Sequence, residues 1–297
     1  MAEQALIFFH IHKTGGQTLE GVIRRQYPRN TVREIWLQRP ETIEEFLSLP
    51  DEERARFRAL IGHIPFGFHR HLPQGARYVT LLRDPVKRFL SEYRHLSDLP
   101  EEWGVWRPPE ECLESVDSYL DYLISNHLCN AQTRMIAGFV EPADRPPLPP
   151  CPPDALERAK RHLENDFAVV GATERYDESL ALIGHAFGWT KSLHYMRRNV
   201  RERQPFRKPV SEDTLERIRE SHALDIDLVA HGARLLDAQL TQVGDALDES
   251  LRRLRRVNAN LERLLAFAHH PAVRSIRSVP GLRQFYNLAG VLVRRVT

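Results

Sequence analysis

The chain has 297 residues, 42% hydrophobic and 28% charged, a globular balance that supplies a sizeable core and excludes a collagen-like or long disordered chain. A net charge of +2 is too balanced to imply nucleic acid as a partner, and no apolar run approaches the roughly 20 residues that cross a bilayer. Cys112, Cys129 and Cys151 form no CxxC pair, which argues against a disulfide framework or structural zinc. With no basic segment ahead of the first apolar run, the expectation is a soluble, cytoplasmic protein.

Ala5 to His12 is apolar, carries two aromatics and is followed by a glycine pair; it reads as a buried strand of a parallel sheet. After Thr14-Gly15-Gly16, the segment Gln17 to Gln26 places Leu19, Val22 and Ile23 on one helical face. The charged stretch Glu41 to Arg58 reads as helical and leads into a second strand, Ala59 to His63. Tyr78 to Leu82 is a third strand. Asp84 and Pro85 are start signals for a helix from Val86 to about His95. Val116 to Ser125 and Asn130 to Ala137 read as helices, and Pro142 to Pro153, with seven prolines, as an extended surface loop. A helix (Asp154 to Asn165), a strand (Phe167 to Gly171) and a helix (Asp177 to Phe187) follow.

This alternation predicts a three-layer α/β domain, a central parallel sheet flanked by helices on both faces. Beyond Ser211 the pattern is helical only. Leu236, Leu240, Val243, Leu247, Leu251, Leu254, Leu261 and Leu265 recur at spacings of three, four or seven, with Asn258 in the gap. Two readings stand for this seam: a helix packed on its own domain, or a homodimer contact. The expected division is a domain over 1–244 and a basic helical extension over 245–297. The extension holds ten arginines against four acidic residues, a net +6, so the remaining chain carries −4. It suits either a solvated or dimerising helix or weak adhesion to a membrane or an acidic partner.

Two segments carry anion chemistry. In His10-Ile11-His12-Lys13-Thr14-Gly15-Gly16-Gln17-Thr18, a glycine pair between strand and helix lets the backbone approach a ligand at a helix N-terminus. Lys13 adds a cation there, and Thr14 and Thr18 add hydroxyls. A nucleoside-triphosphatase loop needs its lysine after the glycines, and Lys13 precedes them, so that motif fails. In the second segment, Arg83 closes a strand where open α/β sheets bind ligands, and Ser91 lies about two helical turns on. Arg83 suits a phosphate gripped through its planar fork, with Ser91 donating its hydroxyl.

Together, Lys13-Thr14-Gly15-Gly16-Gln17-Thr18 and the Arg83…Ser91 pattern resemble the 5′-phosphosulfate loop and 3′-phosphate motif of sulfotransferases that use 3′-phosphoadenosine 5′-phosphosulfate (PAPS). The wording is similar to the carbohydrate branch that contains heparan sulfate 2-O- and 6-O-sulfotransferases, whose patterns are HxPKTGG(T/S)(T/S) and LRDPVxRxLSxYxH. This chain matches the second pattern through His95. It departs from the first at His12, where the family has Pro or Gln, and at Gln17, where it has Thr or Ser. Asn130 to Met135 resembles the family's NxQTRM helix start, Gly171 to Glu174 its GxTE strand end, and Asn199-Val200 its NV turn. The resemblance spans about residues 5 to 230.

It implies a P-loop-like sulfotransferase fold, PAPS as cosubstrate without a metal, and a hydroxyl-bearing acceptor, a glycan or glycoconjugate. His63, in the Gly62-His63 pair at a strand end, becomes the expected general base, since an imidazole can take the proton of an attacking hydroxyl at neutral pH. His12 is the alternative base and a substrate-contact candidate. Lys13 is expected to act in catalysis and, with Thr14, Gly15, Gly16, Gln17, Thr18, Arg83 and Ser91, to hold the nucleotide. Thr173 reads either as an adenosine contact or as a helix cap. Asn130, Gln132 and Arg134 suit contact with nucleotide or acceptor; Arg134 is kept as the candidate acceptor contact, and Asn130 reads instead as a helix cap. His69 and His71 read as solvated loop residues, and Trp103 and Trp106 as either sugar-stacking or packing aromatics. Two rival functions remain: a kinase or hydrolase of related fold, and a non-catalytic nucleotide-binding module.

Overall fold

The computed structural model describes residues 4–98, 107–139, 146–195 and 209–269. Trp103, Trp106 and Asn199-Val200 lie outside the described residues, as does the chain beyond residue 269. Five parallel strands, β1 (Ala5–Phe9), β2 (Val32–Trp36), β3 (Ala59–His63), β4 (Ala76–Leu82) and β5 (Phe167–Ala172), form one sheet in the order β2-β3-β1-β4-β5. β1 lies in the middle, with Leu6 opposite Ala59 of β3 and Ile7 opposite Tyr78 of β4. Its five residues are all buried, as the unbroken apolar run requires for a strand covered on both faces.

Alternate residues feed two cores. Ala5, Ile7 and Phe9 meet Phe46, Ile136, Ala159 and Leu228; Leu6 and Phe8 meet Leu19, Val22, Ile23, Leu180 and Ile183. The first core is roofed by α2 (Pro40–Ser48), α6 (Ala131–Ala137), α7 (Ala155–Asn165) and α10 (Ala223–Val243). The second is covered by α1 (Gly16–Gln26), α8 (Tyr176–Ala186) and α11 (Asp248–His269). A third cluster joins α4 (Pro85–Ser97), α5 (Val116–Ser125) and α9 (Glu212–Ser221) through Phe89, Tyr119, Leu120 and Ile218. The expected three layers are therefore present.

Three details differ from the sequence reading. The stretch expected as one helix from Glu41 to Arg58 is broken at Leu49-Pro50 into α2 and the single turn α3 (Asp51–Arg54), because proline lacks an N–H and disfavours helical backbone before it. β2 was not foreseen; only Ile35 of its five residues is buried, so this edge strand has little apolar pattern to detect. β1 ends at Phe9, three residues early, and frees His10 to His12 for the loop.

Among the described side chains, the leucine seam packs on the chain's own core. Leu236, Leu247 and Leu254 join the second core, with Leu240, Val243 and Leu251 packed around it. Asn258, the polar position, accepts a hydrogen bond from the Tyr195 N–H at 3.1 Å. Among the described residues no helix is long and apolar enough to cross a membrane.

A buried latch joins α6 to α10. The carboxylate of Asp225, fully buried, accepts from the Gln132 N–H (3.2 Å), the Thr133 N–H (2.8 Å) and the Thr133 hydroxyl (2.8 Å). These are the donors at the start of α6, which otherwise has no side-chain cap. Asn130 stands at the N-cap position of α6 as expected, but its side chain makes no cap bond to that helix. Its amide instead accepts from the Asp225 N–H (3.1 Å) and donates to the Ser221 carbonyl (3.1 Å), so it caps α10 across the interface. Asp225→Ala strands three buried donors and is expected to lower stability by about 3 to 5 kcal/mol in urea denaturation, with Asp225→Asn costing less.

Candidate functional site

Parallel strands deliver their carboxyl ends to one edge, and there the chain gathers His10 to Gly15 from β1, His63 from β3, Arg83 from β4 and Thr173 from β5. In the loop after β1, the buried Thr14 hydroxyl donates back to the Ile11 carbonyl at 2.8 Å, closing a tight turn with Lys13 at φ +67°. Gly15 (φ +84°) starts α1, which has no side-chain cap and no acidic residue in its first turn. The positive end of the helix therefore faces the loop without an acidic side chain in its own first turn. Gly16 is required by contact: a Cβ there would stand 2.0 Å from the His10 ring. That ring stacks on Phe8 and donates through Nδ1 to Glu20 at 3.0 Å, so it cannot yield. Gln17 is exposed on the first turn, and Thr18 lies beside the Tyr176 hydroxyl.

Arg83 meets this loop directly. Its guanidinium Nη1 donates to the Lys13 carbonyl at 2.7 Å. Its backbone is gripped on both sides by Gln132, whose amide accepts from the Arg83 N–H (3.0 Å) and donates to the Arg83 carbonyl (2.9 Å). α4 leaves from the same point, with Asp84 accepting from the Lys87 N–H at 2.8 Å and Pro85 in the first turn, which carries Ser91 half-buried two turns on. Beneath Ser91, Arg88 is buried and pairs with Glu92 at 3.1 Å. Burial raises the Glu92 carboxyl, but Arg88, with His12, His222 and Lys13, outweighs that and holds it below the usual carboxylate range.

His63 sits at the end of β3, one residue after Gly62, where φ is +128° and a Cβ would stand 2.1 Å from the Ile35 carbonyl oxygen. Any side chain at Gly62 would push β3 off β2 and displace the histidine. The His63 ring lies 3.6 Å from that of His12 and 4.8 Å from that of His10, centroid to centroid, with Trp36 edge-on at 5.1 Å. Burial, then His12 and His10, holds the His63 imidazole well below its ordinary value. His12 is lowered to about 4, chiefly by burial and partly offset by Glu92. Both rings are neutral at pH 7. Gln38, in the turn after β2, bridges them: its Nε2 lies 3.1 Å from His12 Nε2 and its Oε1 3.0 Å from His63 Nδ1. Sequence reasoning missed Gln38, which stands in no motif.

Three expected contacts are used within the fold. The Thr14 hydroxyl points inward to Ile11 rather than toward a ligand. The Thr173 hydroxyl lies 2.7 Å from the Thr14 carbonyl and 3.1 Å from that of Leu82, tying β5 to the β1 loop and to β4; it neither caps a helix nor stands free for adenosine. Arg134 is buried in α6, where its Nη2 donates to the Pro149 carbonyl at 2.7 Å, so it anchors the proline loop instead of facing an acceptor. His69, expected to be solvated, is within 3.1 Å of the Tyr78 hydroxyl through Nδ1.

A glycine loop at a helix N-terminus without a side-chain cap, joined to an arginine strand end and flanked by neutral histidines, defines an α/β protein with a candidate anion site and a candidate proton acceptor. The galactose-3-O-sulfotransferase family description matches residues 2–280, and the chain belongs to that family. Human heparan-sulfate 6-O-sulfotransferase 1 is 28% identical over 278 residues, covering 76% of this chain and 64% of that protein. Bovine galactose-3-O-sulfotransferase 3 is 25% identical over 285 residues, covering 90% and 65%. The chain thus spans a little under two thirds of the length of these relatives. A solved mouse sulfotransferase complexed with PAP aligns with a TM-score of 0.39 and 13% identity over 74% of this chain and 63% of that one.

The lowered histidines set a stability dependence on pH. Between the ordinary value of 6.5 and about 4, an unfolded chain protonates His12 while the folded chain does not. Stability is therefore present above pH 6.5 and falls as the pH drops toward 4. Thermal midpoints measured from pH 7 to pH 4 should decline, and His12→Asn should flatten that decline.

Proposed function

We propose that this protein transfers a sulfuryl group from PAPS to a hydroxyl of a carbohydrate acceptor, with His63 as general base. One observation carries the reading: the 2.7 Å hydrogen bond from Arg83 to the Lys13 carbonyl, which sets the two anion cradles side by side at the edge where His63 stands. Membership of the galactose-3-O-sulfotransferase family supports it.

The residues suit a nucleotide with two anionic ends. The uncapped start of α1 and Lys13 offer backbone N–H groups and a cation for the 5′ end; Arg83 and Ser91 offer a guanidinium and a hydroxyl for the 3′-phosphate. Gly16, pressed against His10, lets the loop and the start of α1 pack directly on that ring. The nucleotide supplies the sulfuryl group. His63, neutral at pH 7, takes the proton of the acceptor hydroxyl as its oxygen bonds to sulfur. Lys13 and the loop N–H groups stabilise the negative charge that grows on the leaving phosphate oxygen. Thr14, Gly15, Gln17 and Thr18 contribute through the loop and the first turn of α1, and Thr173 by holding that loop to β4 and β5. His12, whose ring lies tilted at 43° against that of His63, is the second imidazole on the acceptor side.

Lys13→Ala and His63→Ala are each expected to lower transfer of label from PAPS by about 10²- to 10³-fold. Arg83→Ala is expected to weaken PAP binding in calorimetry. Wild-type rates for Lys13→Ala would refute the assignment. Because His63 is held well below 6.5, the base stays deprotonated through neutral pH, so the acid limb of the kcat profile should lie below pH 6.5.

A further inference from the structure

We propose that Gln38 is the positioning residue that selects His63, and not His12, as the proton acceptor, by fixing the ring tautomers of both through one amide. The inference rests on the sulfuryl-transfer reading of the site and specifies which imidazole nitrogen serves it. A primary amide has a donor end and an acceptor end. Here the donor end, Nε2, meets His12 Nε2 at 3.1 Å, so that nitrogen presents its lone pair and the neutral His12 ring keeps its proton on Nδ1. The acceptor end, Oε1, meets His63 Nδ1 at 3.0 Å, so His63 is protonated on Nδ1 and its Nε2 carries the open lone pair. The reverse orientation of the amide would reverse both: His63 would offer an N–H on Nε2, and His12 would hold the available lone pair. The identity of the base is thus decided by a side chain on a different strand connection, in the way that the partner of one ring nitrogen sets the role of the other.

The backbone places Gln38 for this task. The Leu37 N–H donates to the His63 carbonyl at 2.9 Å, the Arg39 N–H to the Trp36 carbonyl at 2.9 Å, and the Trp36 N–H to the Thr42 hydroxyl at 2.9 Å. The turn after β2 is therefore docked on the end of β3, and Trp36 meets the His63 ring edge-on at 89°. The titratable groups around His63 are His12 and His10 from the β1 loop; Lys13 of that loop and Arg88 and Glu92 of α4 act on His12. Burial keeps both His12 and His63 uncharged at pH 7, so the position of the proton, rather than the charge, is the variable that Gln38 controls.

The test uses the full chain with ¹⁵N-labelled histidine, as wild type, Gln38→Leu and Gln38→Glu. Imidazole ¹⁵N shifts should show wild-type His63 as the Nδ1–H tautomer. Gln38→Leu should move it toward Nε2–H and lower kcat about 10- to 100-fold, with PAP affinity by calorimetry unchanged. Gln38→Glu restores an acceptor for His63 Nδ1–H as a carboxylate, which favours the imidazolium. Its His63 should return to the Nδ1–H tautomer, kcat at high pH should exceed that of the leucine variant, and the acid limb should move to higher pH. Wild-type His63 found as Nε2–H, or a leucine variant with unchanged tautomer and kcat, overturns the proposal. A wild-type chain that transfers no sulfuryl group from PAPS to any glycan defeats the functional reading instead, while the ring-nitrogen shifts still decide whether Gln38 sets the tautomer.

Discussion

The hydrogen bond from the Arg83 guanidinium to the Lys13 carbonyl is the contact on which the site depends. Lys13 lies at φ +67°, a conformation that costs a non-glycine residue about 1 to 2 kcal/mol. A charge-assisted hydrogen bond contributes about 1.5 to 3 kcal/mol, enough to offset that strain and keep the turn closed. The same bond makes the loop of β1 and the end of β4 one structural unit. The two segments leave adjacent parallel strands, so their spacing is set first by the sheet.

Around that bond, polar residues that resemble ligand contacts serve as the frame. Gln132 grips the backbone of Arg83 from both sides, Asp225 holds Gln132 and Thr133, and Asn130 caps the helix that carries Asp225. Thr173 draws the β1 loop and the end of β4 toward β5. Under the proposed function, a guanidinium that receives an anion gains from being held in place beforehand, because ordering it afterwards would consume binding energy. The buried network on the far side of Arg83 does this work with groups that never need to meet a ligand.

The histidines obey a different constraint. His10, His12 and His63 stand within 4.8 Å of their ring neighbours, and protonating one would place a cation against the others in a partly dry setting. For His12 and His63, burial and mutual repulsion both favour the neutral ring, the state the proposed general base needs. His10 is further tied to Glu20 and wedged against Gly16, so its part is to shape the loop. That leaves His12 and His63 as the pair from which the proposed proton acceptor is drawn.

Local chemistry made much of this legible in the sequence. The apolar run of β1, the glycine pair, the Asp84-Pro85 start of α4 and the Gly62-His63 strand end each act over a few residues, so their pattern survives without knowledge of the fold, and the resemblance to carbohydrate sulfotransferases rests on them. What tertiary structure decided were partnerships between distant positions. Thr14, Thr173 and Arg134 have the right chemistry to bind a ligand, and only their carbonyl partners reveal that the fold uses them. β2 shows a single buried residue, and pairing with β3 made it a strand. Gln38 carries no motif and gains its meaning from two imidazoles on other strand ends. Propensity and pattern are properties of neighbours along the chain, whereas a hydrogen bond between residues 25 apart exists only once the sheet has brought them together.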